Sequence, residues 1–125
     1  MEIDIRGRRV DEIDTEHAVT LVLSGGASIR IESTFELAEP SAAPTAIDPE
    51  NLSAYLGLGP MLRGRVLEAA TADEATGLLS ITFVGGLVLR VLPDPDYEAW
   101  SASWLDGSTI VALPGGGLSS WGARP

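Results

Sequence analysis

The chain has 125 residues, 45% of them hydrophobic, no cysteine, and a formal net charge of −10 in which every basic residue is arginine. This size and composition suit one soluble domain spanning 1–125 that folds without a disulfide or a metal. The acidic excess repels phosphate backbones, and no apolar run is long enough to cross a bilayer, so nucleic-acid and membrane partners are excluded.

The N-terminus, Met-Glu-Ile-Asp-Ile-Arg, lacks a positive segment followed by an apolar one, which points to the cytoplasm. Next comes an internal repeat. Residues 19–31 read VTLVLSGGASIRI, and 79–91 read LSITFVGGLVLRV, at a constant offset of sixty. Upstream, Arg6-Gly7-Arg8-Arg9-Val10 resembles Arg63-Gly64-Arg65-Val66, with an extra turn around Asp73 to Gly77 absorbing the change in spacing. The repeat spans 6–37 and 63–97. Its period of two predicts strands with one buried face, each copy a three-stranded meander.

The same alternation predicts the turn. A two-residue Gly25-Gly26 loop would place Arg30 on the apolar side. A three-residue loop, Ser24-Gly25-Gly26, pairs Leu23 with Ala27, Leu21 with Ile29 and Val19 with Ile31, all on the core face. Such loops end on a left-handed residue, so Gly26 and Gly86 are expected at positive φ. Arg30 and Arg90 then lie on the polar face opposite Thr20 and Ser80.

Glu39 to Ile47, rich in proline and alanine, reads as a surface connection. Asp48-Pro49-Glu50 has the form of a helix start, and Gly57, Gly59 and Pro60 the form of a stop, predicting one short helix over about 48–57. The C-terminal part, 98–121, reads as a hairpin plus a last strand, Leu118 to Trp121. Asp106-Gly107 signals a two-residue turn that sets Trp104 opposite Thr109. Trp100 is expected in the core, with Trp104 left partly exposed beside the turn. The sum is a mainly β chain of eight or nine strands, a duplicated antiparallel meander closing into a barrel or a two-sheet sandwich.

The segment Pro93-Asp94-Pro95-Asp96-Tyr97-Glu98-Ala99-Trp100, then Asp106-Gly107, then Pro114-Gly115-Gly116 and Trp121, resembles a family of small uncharacterised actinobacterial proteins with a YEAW, DG, PGG and Trp pattern in that order. The resemblance implies no cofactor and no catalytic residue.

Little in the chain carries catalysis. His17, the single histidine, has no nucleophile elbow near it and reads as a surface turn residue. A zinc set lacks ligands, and Schiff-base or Walker chemistry lacks a lysine. Asp94, Asp96 and Glu98 form the densest acidic cluster. On a strand they would share one face, with Tyr97 turned toward the core, and could meet a hard cation or a basic partner; the competing reading is a proline-punctuated turn of solvated acids. Candidate binding residues are therefore Asp94, Asp96, Glu98, Trp104, Asp106 and Trp121, with no catalytic or metal-binding residue. They point to a non-catalytic protein-binding or assembly module of the cytoplasm, meeting a protein partner or a second copy through the C-terminal hairpin. One version is an immunity-type inhibitor of a basic toxin. The alternative is a small-ligand-binding barrel or minor hydrolase built on the acidic cluster.

Overall fold

A computed structural model of the chain describes residues 1–51 and 57–122. Among the described residues, the strands in chain order are β1 (Val10–Asp14), β2 (Val19–Leu23), β3 (Ser28–Ile31), β4 (Phe35–Ala38), β5 (Thr45–Ile47), β6 (Leu67–Ala72), β7 (Leu79–Phe83), β8 (Val88–Val91), β9 (Trp100–Ser103), β10 (Thr109–Ala112) and β11 (Leu118–Trp121), with one helix, α1 (Leu58–Leu62), before β6. They form two antiparallel sheets, ordered β1-β2-β3-β9-β10-β11 and β5-β4-β8-β7-β6. A barrel would need the outermost strands of a sheet to pair. Here β1, β11, β5 and β6 remain edges, so the barrel alternative is overturned.

The hairpins obey the expected register. Val19 faces Ile31 and Leu21 faces Ile29; Leu79 faces Val91 and Ile81 faces Leu89. Leu23 N–H donates to Ala27 and Phe83 N–H to Leu87, closing three-residue loops. Gly26 (φ +84°) and Gly86 (φ +98°) are left-handed, as are Gly25 and Gly85 before them. A side chain cannot replace Gly86 cheaply, since a Cβ there would lie 2.6 Å from Pro40 Cγ.

Strands β1, β2, β3 and β4 have counterparts of like pairing in β6, β7, β8 and β9. Both β1 and β6 carry a bulge at their start, between Val10 and Glu12 and between Leu67 and Ala69. The segments before them bond reciprocally: Val10 N–H to the Arg65 carbonyl and Leu67 N–H to the Arg8 carbonyl, both 2.8 Å. The halves then exchange strands. β4 follows β3 but pairs with β8; β9 follows β8 but pairs with β3. Main-chain bonds repeat at both crossings, Glu32 N–H to Ala99 and Leu92 N–H to Thr34. One apolar core collects the inner faces of both sheets, including Leu21, Ile29, Phe35, Leu67, Ile81, Leu89 and Trp100. The first sheet thus takes β9, β10 and β11 from the second half and the other takes β4 and β5 from the first, so neither half can leave without exposing this core.

The predicted helix at 48–57 lies largely outside the described residues; at its start Asp48 Oδ1 accepts from Glu50 N–H at 2.9 Å and the Asp48 carbonyl from Asn51 N–H at 2.9 Å. Two local expectations need correction. The helix α1 begins where a stop was expected, at Leu58, with Pro60 in its first turn, where no intrahelical N–H bond is needed. The C-terminal hairpin pairs Thr109 with Ser103 and Ile110 with Ala102. Trp104 N–H donates to Ser108, so Leu105-Asp106-Gly107 is a three-residue loop with Gly107 at φ +88°. The Asp-Gly signal marked the right turn but one residue too short.

Trp104 shares the inward face of Trp100 and Ala102 in either register, and despite its place beside the turn it is 95% buried, the expected exposure being overturned. Its Nε1 donates to the Asp4 carbonyl at 2.9 Å, tying the N-terminal segment over the hairpin. Trp100 is buried as expected, its Nε1 donating to the Gly77 carbonyl at 2.7 Å.

Candidate functional site

The acidic segment does not form a strand. From Ile31 the chain reaches β4 within four residues, whereas from Val91 it takes nine to reach the equivalent strand β9. The extra length is the run Pro93 to Glu98. Asp94 organises it: Oδ1 accepts from the N–H groups of Asp96 (2.8 Å) and Tyr97 (3.0 Å), while its carbonyl accepts from Gly115 N–H (2.9 Å). This is an aspartate turn braced against the β10–β11 turn. Strand alternation therefore does not apply, and Tyr97, expected with the core, is 70% exposed.

The turn forms one wall of a cleft of about 480 Å³. Asp96, Tyr97 and Glu98 line it from the β8–β9 connection, His17 and Ala18 from the β1–β2 connection, Glu32 from the end of β3, Pro49 and Glu50 from the turn after β5, and Pro114 from the β10–β11 turn. Four carboxylate residues thus line the cleft with an exposed phenol and the single imidazole, and among the described residues no arginine lines it. Outside it, Arg30 Nε lies 3.4 Å from Glu32 Oε1 across two half-exposed side chains, a pairing worth little.

Of the residues expected from sequence, Asp96 and Glu98 enter this cleft and Asp94 positions them. Trp104, Asp106 and Trp121 are not among its lining residues. Asp106 holds its own hairpin tip, Oδ1 accepting from Ser108 N–H at 2.9 Å and Ser108 Oγ at 2.6 Å. Trp121 ends β11 and is 53% exposed. Sequence reading missed Glu32, Glu50, His17 and Tyr97 as neighbours of the acids. The only signal was the lengthened connection between the second repeat and Trp100. Among the described residues, no group of three His, Asp or Glu side chains is arranged to hold a metal ion.

Two further arginines brace the framework. Arg8 Nη1 donates to the Ser24 carbonyl at 2.9 Å, bracing the first glycine loop. Arg65 Nε donates to the Met61 carbonyl at 3.1 Å, and its Nη2 to Glu39 at 3.2 Å. Arg8 and Arg65 of the two Arg-Gly-Arg motifs are thus parts of the framework, and among the described residues no arginine lines the cleft.

No helix among the described residues is long and apolar enough to cross a membrane. No curated protein and no solved structure matches the chain. A family described as a family of unknown function, DUF6188, matches residues 1–122, which is nearly the whole sequence, and the chain belongs to that family.

Proposed function

We propose that this protein is a non-catalytic binding module that takes a basic segment of a partner protein into the cleft of Glu32, Glu50, Asp96 and Glu98. The observation that carries the reading is that four carboxylate residues line one concave site with no arginine among its described lining residues. Like charges held together repel, and a guanidinium or ammonium group relieves that repulsion while donating several hydrogen bonds. Tyr97 supplies an exposed aromatic face over which a cation can lie. The net charge of −10 favours encounter with a basic partner at long range. An immunity-type role against a basic toxin is one instance of this chemistry, and the absence of cysteine suits a reducing cytoplasm. The two-fold correspondence supports a duplicated meander as the framework, with the cleft built where the second half departs from the first.

Calorimetric titration with an arginine-rich peptide and with a neutral peptide of equal length tests the proposal. Binding should be confined to the basic peptide, weaken with salt, and fall at least tenfold in Asp96→Asn/Glu98→Gln. Absence of binding at low ionic strength, or binding indifferent to the double substitution, refutes it. A second reading, a site for a small cationic ligand, draws on the cleft volume of about 480 Å³, which is within the range of small-molecule sites. Free arginine or a polyamine binding as tightly as the peptide would favour it.

A further inference from the structure

We propose that the chain associates with a second copy of itself through the edge of β11, which no other strand among the described residues covers, the two strands pairing antiparallel about a two-fold axis. The other edges are protected or interrupted. Residues 1–3 lie along β6, with Ile3 N–H bonded to Ala70 (2.9 Å) and Ala72 N–H to Met1 (2.8 Å). β1 carries a bulge and three acids, Asp11, Glu12 and Asp14. β5 has only three residues. β11 has no bulge, proline or charge, the usual devices that keep an edge from pairing.

The occupant follows from charge. No ionisable residue lies between Gly107 and Gly122, so the whole of β10 and β11 is neutral in a chain of net charge −10. A basic partner gains nothing there. Two copies of an acidic chain meet with least repulsion on such a stretch, and an antiparallel edge is self-complementary under a two-fold axis.

The register is also determined. Leu113 N–H donates to the Gly117 carbonyl at 3.0 Å. By alternation, Ser119 and Trp121 turn their main-chain groups toward β10, while Leu118 and Ser120 turn theirs outward. A continuous sheet requires facing residues to share a face, which permits an axis through Ser119. That register sets Leu118 against Ser120 of the second copy and forms about four N–H···O=C bonds. It also lays the half-exposed Trp121 over Gly117 of the second copy, where the sheet surface is bare, an arrangement in which an aromatic covers an edge glycine.

Sedimentation velocity over a dilution series at moderate salt tests this. The wild type should shift from monomer to dimer as concentration rises. Ser119→Glu and Ser119→Lys each place like charges directly across the axis and should weaken association at least tenfold when alone. Mixing the two should restore it as a heterodimer. Ser120→Pro removes an outward N–H, leaves the β10–β11 bonds intact, and should also give monomer; circular dichroism verifies that each variant is folded. A wild type that stays monomeric at its highest concentration overturns the proposal. So do Ser119 variants that associate like wild type, or a mixture that fails to restore the dimer.

Discussion

Trp100→Phe tests the account of the strand exchange most directly. Trp100 opens β9, the strand one half lends to the other sheet, and its indole is fully buried with Nε1 bonded to the buried Gly77 carbonyl at 2.7 Å. Phenylalanine keeps an aromatic ring but deletes two things. The lost volume, about 40 Å³, costs about 1 kcal/mol at ~24 cal/mol per Å³ of unrelaxed cavity. The orphaned Gly77 carbonyl costs about 1–3 kcal/mol more. The sum, about 2–4 kcal/mol, corresponds to a fall in Tm on the order of 10 °C for a domain of this size. Urea and thermal unfolding followed by far-UV circular dichroism measure it without relying on tryptophan emission. Trp121→Phe is the control: at 53% exposure the same substitution should change stability by less than about 0.5 kcal/mol in the monomer. A Trp100→Phe variant as stable as wild type, or a Trp121→Phe variant that falls further, would refute the assignment of Trp100 to the core and of its indole to Gly77.

Gly86→Ala should destabilise by at least about 1–2 kcal/mol, because the residue sits at φ +98° and its Cβ would meet Pro40; equal unfolding midpoints would show that the β7–β8 loop can re-form without that conformation. Asp73 gives a pH dependence. N–H groups of Thr76 and then Ala75 bond its carboxylate and lower its pKa below the ordinary carboxylate value. A depressed folded pKa means the stabilisation is fully present above the unfolded pKa and is lost as pH falls through the folded one. The stability gap between wild type and Asp73→Ala should therefore be constant near neutrality and close in acid; a gap that widens on acidification contradicts the assignment.

The period-two pattern sufficed for the repeated hairpins. When every second residue is apolar, a slip of one position turns the core face outward, so Leu21–Ile29 and Ile81–Leu89 had a single acceptable register. The glycines followed, because a three-residue loop demands positive φ at its end. At the C-terminal hairpin the same logic was available but less forcing. Serine and threonine tolerate either face, so Asp106-Gly107 was compatible with two loop lengths, and only packing against the N-terminal segment decided that Trp104 is buried. The helix α1 was not legible for a related reason: Gly57, Gly59 and Pro60 read as a stop, whereas burial of Leu58 and Leu62 selects a helical turn there.

What the sequence determined by itself was local: strand periodicity, hairpin register, left-handed glycines and the acidity of one connection. Those properties depend on sterics and solvation within a few residues, which the chain carries wherever it goes. What only the tertiary structure decided was nonlocal. The exchange of β4 and β9 between sheets, the edge position of β11, and the meeting of Glu32, Glu50 and His17 with Asp96 and Glu98 depend on which surfaces pack together. Residues far apart in the chain carry no local mark of that meeting, because the free energy that brings them together belongs to the shared core rather than to the carboxylates themselves.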